Sequence, residues 1–313
     1  MTIRIACVGG AVLDLIYGVD RLPGEDGKTH ALSYLESGGG MAANAAVTVA
    51  RLGGEASWWG RVGDDDKGAR VLDGLRAEGI DVSRARIVAG AISSHSVVLG
   101  DRAGNRAIVL YRSAALDPDA GFLPLGEIAA LDAVVADNRW IEGAVAALGE
   151  ARRLGRFAVL DADAGTGPRS IEAVRMASHA IFSEPGLAEI YGATDPAEGL
   201  GRALEDCPFV AVTLGARGAL WCSADGASGV VPAFPVEALE TVGAGDVFHG
   251  AFAFALAGGE GEAAALRFAA AAAALKCART GGRSSFPSRS AVDGLVRHGG
   301  PVSTIDQGER HDH

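Results

Sequence analysis

"ETVGAGDVFHG", Glu240 to Gly250, runs three small residues, Gly243, Ala244 and Gly245, straight into Asp246. An apolar face follows: Val247, Phe248, Ala251, Phe252, Phe254, Ala255 and Leu256. That spacing predicts a buried helix opening from a glycine loop. A helix N-terminus presents unpaired N–H groups and the positive end of the dipole, so it holds anions. Glycine lets a phosphate approach the backbone, and a carboxylate beside it can take a proton from an attacking hydroxyl. Asp246 then reads as a general base next to a phosphoryl-binding loop. On spacing alone, a plain helix cap is the simpler reading.

Upstream of this segment, short apolar runs alternate with helical ones. "IRIACVGG", "ASWWGRVG", "LDAVVAD", "RFAVLDAD", "HAIFSE" and "FVAVTLG" read as strands. "MAANAAVTVARLGG", "DDDKGARVLDGLRAEG", "IEGAVAALGEARRLG" and "SIEAVRMAS" read as helices between them. Such alternation predicts an α/β fold, a mostly parallel central sheet covered by helices on both faces. Two segments break the pattern, Asp14–Ser37 and Ser93–Ser113. Each reads as a strand pair, the second around the turn "DRAGN". Together they predict a small β-sheet projecting from the core as a lid. The expected organisation is one domain over residues 1–300, with lid segments at about 14–37 and 93–113, and a polar, disordered tail over 301–313.

The chain has 313 residues, 49% hydrophobic, with a formal charge of −11. That is ample for a large core and lacks the basic footprint of nucleic-acid binding. Four scattered cysteines, Cys7, Cys207, Cys222 and Cys277, form no C-x-x-C pair, which argues for reduced thiols in a cytoplasm. "MTIRIACVGG" lacks a signal-peptide pattern, and the alanine-rich run Ala263–Ala278 is broken by Arg267 and Lys276, so no membrane partner is expected.

"SGGGMAANAA", Ser37–Ala46, is a second glycine-rich loop entering a helix. Gly38, Gly39 and Gly40 allow close approach to a ligand, and Asn44 lies one turn in; a flexible turn into a core helix explains the run equally well. "PGEDGKT" is not a P-loop, because the first glycine position is Leu22 and no helix follows Lys28. "ADNRW" places Arg139 at a C-terminal strand end, where open α/β sheets bind ligands. Arginine there suits an anion, although a surface salt bridge is the default for any single arginine. "VTLGARGAL" is a strand with a Gly-x-x-Gly turn, also readable as a plain hairpin.

Taken together, "GGG-x-A-A-N", "GAGDVFHG" and Asp14 after the first strand resemble the PfkB (ribokinase-like) family of sugar and nucleoside kinases over roughly Ile3–Pro287. The resemblance implies transfer of the ATP γ-phosphoryl group to an alcohol, with ATP used as its Mg²⁺ complex. It makes Asp246 the base and the N–H groups of Gly243, Ala244 and Gly245 an anion hole. Asp14, Gly39, Gly40 and Asn44 match sugar-binding positions, and Thr213, Gly215 and Gly218 match the nucleotide side. Homodimerisation through the lid is also implied.

Two family motifs are altered. The usual D-T-T is Glu240-Thr241-Val242, which puts a monovalent-cation cofactor in doubt. The usual N-x-x-E falls on Ser183-Glu184-Pro185-Gly186; the metal ligands are unknown. Within the family, "GRVGDDD", "FSEPGLA", "GDVFHGA" and "CARTGGR" are most similar to kinases of 6-deoxy-6-sulfofructose, which makes Lys28 and Arg139 the matches for sulfonate contacts. A third such contact falls on Leu110; Arg112, two residues on, offers another cation. The expectation is therefore a ketohexose kinase whose substrate carries an anionic end, sulfonate or phosphate. The alternatives are a neutral-sugar or nucleoside kinase and a non-catalytic sugar-sensing module.

Overall fold

The computed structural model describes residues 2–299 apart from Gly104 and Asp117; the tail expected at 301–313 lies outside the described residues. Its strands, in chain order, are β1 (Arg4–Val8), β2 (Val12–Val19), β3 (Ala31–Gly39), β4 (Glu55–Trp59), β5 (Arg61–Gly63), β6 (Arg86–Val88), β7 (His95–Asp101), β8 (Arg106–Tyr111), β9 (Ala133–Asp137), β10 (Phe157–Ala162), β11 (His179–Ser183), β12 (Phe209–Thr213), β13 (Ala219–Ser223) and β14 (Ser228–Val231). Eight of them form the central sheet in the order β14-β13-β12-β11-β10-β9-β1-β4. It is parallel from β4 to β12 and antiparallel at β12–β13–β14.

The parallel strands read as continuous apolar runs because both faces are covered: the β9 segment AVVAD is buried at every position. One apolar cluster packs α1 (Met41–Arg51) and two later helices, Ala244–Ala257 and Glu262–Cys277, on one face. A second cluster packs helix Ile141–Arg153 on the other. "ASWWGRVG" is not one strand: β4 joins the central sheet and β5 pairs with β6, with Gly60 between them. A side chain there has no room, since its Cβ would sit 2.2 Å from the Trp58 ring.

β3, β2, β7 and β8 form a separate four-stranded sheet. Strands β2 and β7 pair in parallel and the outer pairs are antiparallel. In "SGGG", Gly38 and Gly39 belong to β3 rather than to a loop, and Gly40 alone joins β3 to α1. Gly40 takes φ +97, and a Cβ there would lie 2.6 Å from the Gly10 carbonyl and the Ala11 Cα, so the junction requires glycine.

Buried Asp137, at the end of β9, ties these pieces together. Its carboxylate accepts the N–H groups of Gly10 at 2.8 Å, Ala42 at 3.0 Å and Arg139 at 2.9 Å. The loop after β1, the first turn of α1 and the loop after β9 therefore meet at one anchor at the C-terminal edge of the sheet. No helix among the described residues is long and apolar enough to cross a membrane.

Candidate active site

The segment Ala244–Ala257, helix α7 in a numbering that counts α2 (Asp66–Ala77), α3 (Ile141–Arg153), α4 (Ser170–Met176), α5 (Glu184–Tyr191) and α6 (Pro196–Ala203) before it, begins at Gly243 in a left-handed conformation, φ +79. That turn aims the start of α7 at α1. Asp246, in its first turn, accepts the Asn44 amide at 2.7 Å on Oδ2. The Asn44 carbonyl oxygen in turn accepts Arg283 Nε at 2.9 Å, and Arg283 also donates to the Gly39 carbonyl at 3.2 Å. Arg283 is 8% exposed, and a Cβ on Gly38 would strike its guanidinium at 2.0 Å. Arg283 thus fixes which way the Asn44 amide faces, and Asn44 fixes Asp246. Asp14 completes the wall: its Oδ1 accepts Ser96 Oγ at 2.6 Å, and Gly39 leaves room for its carboxylate.

A cavity of about 560 Å³ is lined by residues that include Asp14, Ser96, Asn44, Gly243, Glu240 and Arg283; Asp246 adjoins it through its bond to Asn44. The separate sheet contributes an apolar side: Val12, Ile16, Leu35, Val98, Ile108 and Leu110. Apolar walls with a few convergent polar groups are the usual form of a small-molecule site.

Asp246 is buried. Burial, together with the carboxylates of Asp137 and Asp163, pushes its pKa up to about 6, against the pull of Asn44 and Arg283. Such a value suits a general base, which needs a pKa near the working pH. Burial likewise raises the pKa of Asp14.

Of the three N–H groups expected to form an anion hole, one is engaged within the protein. The Ala244 N–H is spent on the Thr241 carbonyl at 3.1 Å, a bond that closes the turn into α7. Among the described residues, the N–H groups of Gly243, Gly245 and Asp246 have no protein acceptor and remain for a ligand. A Cβ on Gly245 would meet nothing within 4 Å, so this loop borders open space, as an incoming phosphate needs.

The structure does not bring Lys28 and Arg139 to the cavity. Lys28 is exposed in the turn between β2 and β3. Arg139 is committed elsewhere, to Asp163 Oδ2 and the Ala164 carbonyl at 2.6 Å each and to Met41 Sδ at 3.1 Å. Arg112 falls just past β8 and donates to the Gly165 carbonyl at 3.3 Å. Thr213 ends β12 and donates to the Phe182 carbonyl at 3.3 Å. Gly215 and Gly218 form the β12–β13 hairpin, and a Cβ on Gly218 would lie 2.1 Å from the Val231 carbonyl, reason enough for glycine there. Glu184 pairs with Arg217 at 2.6 Å on the surface, while Ser183 caps α5 and donates to Asp163 at 2.7 Å.

Sequence reasoning missed Ser96, Asp137 and Arg283 as site-builders. It also missed Lys276, fully buried in the helix Glu262–Cys277, whose ammonium meets Glu240 Oε1 at 2.5 Å and the Glu240 carbonyl at 3.2 Å. The other Glu240 oxygen accepts the Gly281 N–H at 3.0 Å. The signal for Arg283 lay in "TGGR", where an arginine follows two glycines; the other three carried none.

A carboxylate at a glycine-opened helix start, bonded to an amide that lines a polyol-sized cavity under a small sheet, fits a kinase of the ribokinase-like class. The family profile described as "pfkB family carbohydrate kinase" matches residues 2–289. Ribokinase of Bacillus subtilis is 30% identical over 297 residues, covering 94% of this chain and 99% of that protein. ATP-dependent ribose-1-phosphate kinase of Halopiger xanaduensis is 33% identical over 294 residues, covering 93% and 97%. A solved structure from Agrobacterium tumefaciens superposes with a TM-score of 0.90 at 38% identity, covering 95% of this chain and 98% of that one. The chain belongs to the pfkB family of carbohydrate kinases and is an ATP-dependent phosphotransferase with an alcohol acceptor. A special closeness to sulfofructose kinases is not among these likenesses.

As a base, Asp246 must be ionised. With its pKa raised to about 6, kcat/KM should be full above that pH and fall as pH drops through it, rather than near the ordinary aspartate value. Asp246→Asn should lower kcat by about 10²–10⁴-fold and leave sugar affinity intact. A pH–rate profile and calorimetric sugar titration of the variant check both; near wild-type kcat would reduce Asp246 to a helix cap.

Proposed function

We propose that this kinase phosphorylates a hydroxyl of a small, uncharged sugar of the pentose or ketohexose type. The observation that carries the reading is the charge balance of the cavity. Among the described residues, its one buried cation, Arg283, already serves Asn44 and Gly39, and the other cation lining it, Arg106, is exposed. A charged sugar end would find no dedicated buried partner there, while Asp14, Ser96 and Asn44 offer acceptors and donors for hydroxyls.

In this reading, Asp14 and the backbone around Gly39 and Gly40 hold the sugar, Asn44 orients Asp246, and Asp246 takes the proton of the attacking hydroxyl. The N–H groups of Gly243, Gly245 and Asp246 stabilise charge on the transferring phosphoryl group. The nucleotide lies along the C-terminal edge of the sheet toward Thr213 and the Gly215–Gly218 turn. Mg²⁺ arrives with ATP and offsets charge on its phosphates. The four-stranded sheet is the lid; its apolar side excludes water from the reacting groups. Four free cysteines suit a reducing, cytoplasmic setting.

A second reading keeps the anionic sugar, either a 6-deoxy-6-sulfofructose or a phosphorylated sugar. Arg112 favours it: this exposed guanidinium lies beside Arg139, with one bond to a carbonyl. A relative named for ribose 1-phosphate supports it as well. Comparing ribose, fructose, fructose 6-phosphate and 6-deoxy-6-sulfofructose under saturating MgATP separates the two. The neutral sugars should lead in kcat/KM by about tenfold or more; the reverse order would transfer the proposal to the anionic substrate.

No monovalent cation is required in this reading, because Lys276 already supplies a positive charge to Glu240, just ahead of the anion loop. Replacing K⁺ by a large organic cation at constant ionic strength should change kcat by less than about twofold. A steep dependence on K⁺ would contradict this.

The protein assembles as a homodimer through the lid. Strand β8 is an edge strand exposed along all six residues, with Ile108, Val109, Leu110 and Tyr111 in a row. A bare apolar edge of this kind normally finds a partner. Sedimentation should give a dimer, and Val109→Lys should give a monomer; a monomeric wild type would refute the assembly.

A further inference from the structure

His249 lies one turn along α7 from Gly245 and is 3% exposed. Its Nδ1 is 2.7 Å from the Gly245 carbonyl oxygen and 3.2 Å from Asp161 Oδ2. Its Nε2 is 3.2 Å from the Ile181 carbonyl oxygen. Both carbonyls can only accept. A neutral imidazole has one N–H and one lone pair, so either tautomer aims a lone pair at a carbonyl oxygen inside the core, where no water relieves the contact. A doubly protonated ring satisfies both carbonyls and faces Asp161 as its counter-charge.

Asp161 is 4% exposed, and its surroundings also call for a proton. Asp137 lies beside it in register on β9, Asp163 follows two residues later, and Asp246 stands on α7. Arg139, after β9, is the cation opposing these carboxylates, and Arg283 acts on Asp246 from the far side. Burial, then the charge of Asp246, raises the pKa of Asp161 well above the ordinary aspartate value, whereas burial holds that of His249 below the ordinary histidine value, against the opposite pull of the Gly245 and Ile181 carbonyls and Asp163. Both effects concern one shared proton. With it, on either partner, the pair is neutral in sum. Without it, a bare carboxylate sits in the core next to three others.

We propose that His249, paired with Asp161, carries this proton on a doubly protonated ring through the working pH range, and that its Nδ1–H positions the Gly245–Asp246 peptide that opens the catalytic helix. His249 touches no reacting atom; it is a positioning residue acting through that peptide. Hydrogen bonding to the Gly245 carbonyl polarises the peptide and strengthens the Asp246 N–H as a donor. That N–H is one of the free donors at the anion loop. The inference rests on the kinase activity and the loop, not on which sugar is used.

Nitrogen-15 NMR of the full-length protein labelled at histidine reads the proton directly. Both ring nitrogens of His249 should keep the protonated signature at least about one pH unit above the ordinary histidine value near 6.5, and Asp161→Asn should remove it. ADP release from MgATP, with ribose or fructose as acceptor, gives the functional arm. His249→Phe keeps a ring and removes both donors; its kcat should fall about tenfold, less than for loss of a direct oxyanion donor, with both KM values nearly unchanged. His249→Asn restores an N–H close to the Nδ1 position and should recover most of that loss. A singly protonated His249 ring at neutral pH would overturn the proposal, as would a folded His249→Phe variant with wild-type kcat. If His249→Phe does not fold, the wild-type spectrum decides.

Discussion

Helices α1 and α7 pack so closely that a Cβ on Gly250 would lie 2.7 Å from the Ala45 carbonyl oxygen. Small residues allow it: Ala42, Ala43, Ala45 and Ala46 on one side, Gly250 and Ala251 on the other. Only at such a separation can Asn44, in the first turn of α1, reach Asp246 in the first turn of α7, two residues 202 positions apart. Both helices begin at a glycine of positive φ, Gly40 and Gly243, so two open helix starts converge on one cavity. In the proposed reading this contact brings together the sugar side and the phosphate side of the reaction, and Asp137 anchors the surrounding loops to the sheet edge.

The same geometry concentrates negative charge. Asp137, Asp161, Asp163 and Asp246 gather at the C-terminal edge of the strands, and the protein answers each differently. Backbone N–H groups hold Asp137, Arg139 and Ser183 hold Asp163, and Asn44 holds Asp246. Removing charge from the neighbours of Asp246 lowers its pKa, and adding charge raises it. The Arg139–Asp163 pair accordingly bears on Asp246, in addition to closing the loop after β10. Since the arginine is engaged there, the anionic substrate it suggested at sequence level loses its main support.

Much of the candidate site's geometry was legible because it is local. "GAGD" encodes a glycine turn, a helix start and a carboxylate within four residues, and "GGGMAAN" encodes the facing turn and amide. The βα alternation likewise encodes the parallel sheet. What stayed hidden is non-local. Arg283 reaches Asn44 across 239 positions, and Ser96 reaches Asp14 across 82; no spacing rule marks such pairs. Lys276 interrupts an alanine-rich helix and nothing in the sequence marks its partner, yet it is fully buried against Glu240. The bond from the Ala244 N–H to Thr241 depends on how the turn closes, which composition does not specify. Arg139 was placed at the right sheet edge, but its partner Asp163 sits at the end of another strand.

The central claim is that Asp246 contacts the reacting hydroxyl while the start of α7 holds the phosphoryl group. A crystal structure with a non-hydrolysable MgATP analogue and the fastest acceptor sugar tests it most directly. The account predicts an acceptor hydroxyl oxygen about 2.6–3.2 Å from an Asp246 carboxylate oxygen, with the terminal phosphate on the N–H groups of Gly243, Gly245 and Asp246. A sugar whose nearest hydroxyl faces another group, with Asp246 still bonded to Asn44 alone, would contradict it.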